Sequence, residues 1–313
     1  MGRVQYIGRR LLMMVLVLFG VTIIIFSMVR LIPGDPAFLI LGDRATNEAA
    51  AQLREQLGLN KPLLTQYWEF IRGIATGQLG TSLLYRQPVI NLVARRVPVS
   101  LFLAFYAMSL AAILTLTFGV LAAVNRGRWV DHVVRIAFLF FITTPAFWLG
   151  ILLILLLSLR LHLFPVSGYG QTLTDHFRSL FLPALTLALQ LSAVLIRNLR
   201  GQIITVQYSD YVRTARSKGL SERMVLWRHT LRNALIPVVT IFGLQFGYLV
   251  GGTVVVETVF AVPGLGQLLI QSITGRDYPV VQAITVIAAF FVILVNLIVD
   301  LSYSFLDPRV SYE

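Results

Sequence analysis

Residues 208–237 read YSDYVRTARSKGLSERMVLWRHTLRNALIP, and this basic stretch lies between two apolar runs, 180–196 and 234–258. It is too long and too patterned to be a plain connector. Tyr208, Tyr211, Val212 and Ala215 recur at helical spacing and predict one apolar stripe on a short helix, with Arg213 and Arg216 on other faces. Gly219 stops that helix, because glycine readily takes the left-handed backbone of a terminating residue. Ser221 is a suitable cap for a second helix, in which Met224, Trp227 and Leu231 form another stripe among Arg223, Arg228 and Arg232. Two short helices meeting at a glycine corner follow. Such a pair either lies along a membrane surface with its arginines among headgroups or projects as a docking knob. The bend favours the knob, since one continuous helix would serve a flat surface better.

Outward from this loop the chain is dominated by apolar segments. It is 57% hydrophobic and only 13% charged, whereas soluble domains carry about 25% charged residues; the mean hydropathy is +0.79. A bilayer core needs roughly 20 mainly apolar residues per helical crossing, and segments 11–29, 99–124, 133–159, 180–196, 234–258 and 281–303 meet that need. The expected fold is therefore an all-α membrane protein with about six transmembrane helices. Arg3, Arg9 and Arg10 precede the first span, Arg126, Arg128 and Arg135 sit at the second loop, and the dense run Arg197 to Arg232 follows the fourth. These are alternate loops, so the positive-inside rule predicts cytoplasmic N- and C-termini. The net charge of +12 thus reads as topology, with no nucleic-acid partner. The expected divisions are a first segment and span at 1–29, an outer (periplasmic) loop with short helices at 30–98, a transmembrane core at 99–303 with the basic loop at about 197–233, and a cytoplasmic tail at 304–313. Within the outer loop, Pro33-Gly34-Asp35-Pro36 predicts turns, Thr46 to Leu57 a helix, and Trp68, Phe70 and Ile71 a second amphipathic one.

The basic loop resembles the EAA motif of binding-protein-dependent ATP-binding-cassette importers, in the form found in dipeptide, oligopeptide, glutathione and nickel permeases. Gly219 matches the motif's glycine. Arg213 and Thr214 replace its glutamate and first alanine, leaving Ala215 as the second, while His229 and Arg232 stand at the usual isoleucine and proline. These departures resemble the peptide-permease branch. RLIPGDPA at 30–37, QLGLNKPLLTQYW at 56–68, GTVVVETVFAVPGLGQLL at 252–269 and RDYPVVQA at 276–283 resemble the same branch in the expected order. The resemblance implies the type I importer permease fold in a bacterial inner (plasma) membrane. It also implies a homologous second permease, two ATPase subunits and an external substrate-binding protein as partners. ATP and Mg would be held by the ATPase subunits, with no cofactor on this chain. It leaves dipeptide, oligopeptide, glutathione and nickel open as cargo. Tyr211, Arg213, Ala215, Gly219, Leu220, Ser221, Met224 and Trp227 are the expected ATPase-docking residues.

Catalytic chemistry is missing from the sequence. No Gly-x-x-x-x-Gly-Lys-Ser/Thr phosphate loop occurs, and His132, His162, His176 and His229 lack metalloprotease-type spacing. There is no cysteine, which excludes disulfides and thiolate sites. Gly243, Gly247 and Gly251 place a small face on the fifth span, suited to close helix packing, to a path, or to both. Gln245 and Glu257 on the same span are candidates for the path or a helix interface, as are Gln190, Ser192 and Asn296 for helix–helix hydrogen bonds. Asp300 sits near the inner end of the last span, and Pro145 and Pro183 permit bends. A secondary transporter or channel with an interfacial helix pair is the alternative, but it would normally show charged residues at mid-membrane. An intramembrane enzyme would need a nucleophile or acid–base pair within the spans, and none assembles.

Overall fold

The computed structural model describes residues 3–31, 36–41, 46–56 and 58–306. The turn expected at 33–35 and most of the tail lie outside them. Thirteen α-helical segments, α1 to α13, make up the described chain, joined by loops and two π-helical stretches.

One compact unit combines the chain up to Val99 with Gly264–Leu297. It holds α1 (Arg3–Leu31), α2 (Pro36–Leu41), α3 (Asn47–Gln56), α4 (Leu63–Thr76) and α12 (Leu265–Thr274). The two helices expected in the outer segment are α3 and α4. Against α4, the Thr22 and Tyr67 hydroxyls share a hydrogen bond of 2.9 Å, and the Phe26 ring meets Tyr67 edge-on at 5.1 Å. Val89, Leu92 and Val93 pack with Leu268, Val280 and Ile284 in this unit's core. Asp277, fully buried, accepts hydrogen bonds from the Ser82 hydroxyl and the Leu83 and Leu84 amides. A buried carboxylate needs such donors, because its desolvation is otherwise unpaid by any contact.

The second unit runs from Ser100 to Pro263 and resumes at Ile298. Its elements are α6 (Trp129–Thr143), α7 (Ala146–Leu153) with a π-helical continuation Ile154–Arg160, α8 (Leu173–Gln207), α9 (Asp210–Ser217), α10 (Glu222–Met224), a π-helical stretch Val225–Leu231 and α11 (Arg232–Val259). Helices α5 (Val89–Val124) and α13 (Tyr278–Leu306) supply residues to both units. α8 is the spine of the second unit. Its Leu195, Leu199 and Ile203 pack with Leu231, Ala234 and Val238, while Ala193 and Ile196 pack with Val134 and Phe138 of α6. A capping box between Thr172 and Asp175 begins α8 well before the apolar segment at 180–196, since each side chain satisfies a backbone amide that the first turn leaves free.

Among the described residues four helices are long and apolar enough to cross a membrane, and the number reaches six if two bent helix pairs are each one span. The stretch 133–159, expected as one span with a bend permitted at Pro145, is broken between α6 and α7 by 112°. Thr144 is extended there, and Pro145 cannot donate to the helical ladder. The second bent pair meets within α11, between Gly247 and Gly252, with a bend of 60°. α7 and α11 approach closely at Gly150, where a Cβ would come within 2.9 Å of the Phe260 ring.

Candidate coupling loop and intramembrane groove

The basic loop folds as two short helical pieces around a tight corner. Gly219 has φ +76°, in the left-handed region, and a Cβ there would meet no atom within 4 Å. The glycine is required by backbone conformation and not by crowding. The Arg216 guanidinium crosses the corner and holds the Glu222 carboxylate through two bonds of 2.9 and 3.2 Å. Val212, Ala215 and Val225 form a small buried core beneath, joined by the half-buried Leu220 and Val206.

This core divides the two expected stripes. Val212 and Ala215 turn inward, whereas Tyr208 and Tyr211 remain exposed. In the second piece Leu231 is buried, but Met224 and Trp227 are 45% and 56% exposed. The π-helical stretch from Val225 explains the split, because its wider turn rotates the following residues out of 3.6-residue register. Leu220 belongs to the loop's own core and not to an outward stripe with Met224 and Trp227. Ser221 occupies the N-cap position with extended backbone, yet its side chain makes no capping bond. Arg213 is exposed and lies 3.8 Å from Asp210.

Two interactions at the base of the loop have no spacing signature in the sequence. Asp131, at the start of α6, is only 1% exposed and receives the Arg200 fork at 2.7 and 2.6 Å and the Gly127 amide at 3.0 Å. Arg126 donates to the Tyr208 hydroxyl at 3.3 Å, with its guanidinium 5.9 Å from that ring's centroid. Only a charge pairing of distant positions, 131 with 200, would have indicated the first.

Within the second unit a groove of about 720 Å³ is lined by Ile142, Leu187, Gln190, Gln245, Gly247 and Val255, among others. Gln245 and Gly247 from the expected set therefore reach it. Gly243 does not line it, and Gly251 lies on α11 between Gly247 and the groove-lining Gly252. Gln190 donates to the Thr144 carbonyl at 2.7 Å, satisfying backbone at the α6–α7 break. Glu257 is fully buried and accepts a 2.6 Å hydrogen bond from the Ser100 hydroxyl, away from the groove. Asp300 lies on α13, and its side-chain surroundings fall outside the described residues.

Residues 115–312 match the family described as the binding-protein-dependent transport system inner membrane component, and residues 3–104 match that family's N-terminal membrane component. The chain is 42% identical over 309 residues to the glutathione transport system permease protein GsiC of Escherichia coli strain K12, with 99% of each chain covered. The protein of the same name from Salmonella choleraesuis matches equally, at 42% over 309 residues and 99% of each chain. By structure the chain is similar to the inward-facing MetNI methionine ABC transporter, with a TM-score of 0.59 at 19% identity over 69% of this chain and 96% of that one. An amino acid ABC transporter with histidines gives 0.54 at 17% identity, covering 69% of this chain and 94% of that one. These two show a shared fold. The chain belongs to the binding-protein-dependent inner membrane components: it is a permease subunit of a binding-protein-dependent ABC importer, and ATP hydrolysis belongs to a separate subunit.

Proposed function

We propose that this permease pairs with a homologous second permease to form a path for di- or oligopeptides or a related small solute such as glutathione. An external binding protein supplies the solute and two ATPase subunits drive the cycle. Full-length similarity to glutathione permeases supports this cargo class. The observation that carries the coupling role is the bent basic loop, whose corner is held by left-handed Gly219 while Tyr211, Met224 and Trp227 stand exposed among arginines. Exposed aromatic and methionine side chains ringed by charge are suited to the centre of a protein interface, the charges setting orientation. The loop runs without interruption into α11, which contributes Gln245 and Gly247 to the groove. A pull on the loop by closing ATPases therefore has a continuous helical route to the groove wall.

The test is recovery of ATPase subunits on tagged permease in matched detergent extracts, together with the solute that stimulates ATP hydrolysis by the intact complex. Glutathione and a set of dipeptides are the solutes to compare. Equal ATPase recovery by wild-type and Gly219→Val permease, with normal transport, would remove the docking role. In that event a membrane-lying loop is favoured. Cytoplasmic termini are part of the same reading. Cysteines introduced at Gly2 and Tyr312 should resist an impermeant reagent applied to intact cells.

A further inference from the structure

We infer that the Asp131–Arg200 pair is a positioning device that joins α6, α8 and the base of the basic loop into one lever, and that transport coupling depends on it. The inference rests on the coupling role proposed for the loop. Three connections support it. At its first turn α6 is bound to α8 through the two-bond fork from Arg200 to Asp131. At its last turn α6 is bound again to α8, where Gln190 donates to the Thr144 carbonyl at 2.7 Å. Gln190 and Arg200 are about 15 Å apart along the helix axis at 1.5 Å per residue. Two fixed points at that separation prevent α6 from pivoting on α8. Val134 and Phe138 fill the interval by packing with Ala193 and Ile196.

The third connection reaches the loop. The carboxylate of Asp131 also holds the Gly127 amide, fixing the turn that carries Arg126. Arg126 in turn engages Tyr208, the residue that ends α8 and precedes α9. Displacement of α9 is thereby passed to α8 through the chain and to the α5–α6 turn through Arg126. Ile142 of α6, Leu187, Gln190, Leu191 and Val194 of α8, and Gln245 and Gly247 of α11 all line the groove. With α6 and α8 held as one body, movement of the loop that reaches α11 changes the shape of the groove they line together. Without the pair, the loop moves while that body yields.

The variant that separates positioning from folding is Asp131→Leu/Arg200→Met, because replacing a buried ion pair by apolar residues of similar size is often neutral for stability. It is to be reconstituted in proteoliposomes with the companion permease, both ATPases and the binding protein, using reduced glutathione and alanyl-alanine as solutes. The expected result is normal recovery of the complex, unchanged basal ATPase, and a fall of about 2- to 30-fold in solute transported per ATP hydrolysed. Arg126→Gln, which leaves the buried pair in place, should lower the same ratio by less. A wild-type transport-to-ATP ratio in the double variant with the complex intact overturns the inference, and so does loss of complex recovery by both variants, which would mark a purely structural role. Failure of the underlying reading is distinct: there, wild-type permease recovers no more ATPase than Gly219→Val does.

Discussion

The basic loop and the groove violate the rule of their surroundings in opposite senses. In the loop, Trp227, Met224 and Tyr211 are apolar groups left exposed on a charged segment. In the groove, Gln190 and Gln245 are polar groups set into a wall of leucine, isoleucine and valine. Each is costly when the chain is taken alone. Exposed aromatic surface forgoes about 25 cal/mol per Å² of burial, and a polar group in an apolar wall needs a hydrogen-bond partner. The contrast separates two kinds of contact: apolar groups in the loop suit a protein surface that buries them, and amides in the groove suit a solute or a backbone group that satisfies them.

The largest expected effect comes from Gly219→Val. Left-handed backbone costs a non-glycine residue about 1–2 kcal/mol, and a β-branched side chain is less tolerant still. Since there is room for the side chain, relief must come from moving the corner, which displaces Met224 and Trp227 relative to α9. ATPase recovery in pull-downs should fall by about 30-fold or more, the upper end of that energy scale, and transport should stop, while the amount of permease in membranes stays the same. Membrane levels falling with ATPase recovery intact would assign the loop to lipid.

Trp227→Ala tests the exposed side chain without altering the backbone. A central interface anchor is worth about 2 kcal/mol or more, so recovery of ATPase should drop by roughly 30-fold with no change in the melting temperature of the isolated permease. A melting shift equal to that of a buried substitution would show that Trp227 is part of the fold and erase the contrast with the groove.

On the groove side, Gln190→Leu and Gln245→Leu should behave differently. The first leaves the Thr144 carbonyl unpaired at the helix break, at a cost of about 1–3 kcal/mol, visible as a lower melting temperature in detergent. Gln245→Leu should leave the melting temperature unchanged and alter uptake of the solute. Equal melting shifts would mean that both amides are structural.

The smallest effect belongs to Arg216→Ala. Its partner Glu222 is 74% exposed, and exposed ion pairs contribute about 0–1 kcal/mol. Thermal stability should hardly move, and any loss of ATPase recovery should be far below that of Gly219→Val. A loss as large would make the ion pair, and not the glycine, the keeper of the corner.

Much of this molecule was legible in local sequence. Runs of apolar residues long enough for a bilayer identified the membrane helices, because helical hydrogen bonding and hydrocarbon thickness leave few alternatives. The corner at Gly219 was legible because glycine alone takes that backbone without strain. Family strings from residue 30 to residue 283 identified the permease. What periodicity misread was the facing of the loop: an ideal 3.6-residue repeat put Met224, Trp227 and Leu231 on one stripe, and a π-helical stretch leaves Leu231 buried while Met224 and Trp227 stand exposed. At 133–159 the sequence offered Pro145 as a place where a bend is permitted, but hydropathy counts apolar residues along a line and does not register how far the chain turns, which is 112° at Thr144 and Pro145. Sequence by itself thus determined the solvent, the helices, the corner and the family, all of which follow from residues near one another in the chain. Only tertiary structure decided that Asp131 meets Arg200, that Gln190 closes the helix break and that Glu257 meets Ser100, because hydrogen bonds and ion pairs act over a few ångströms in space between positions whose separation in sequence carries no period.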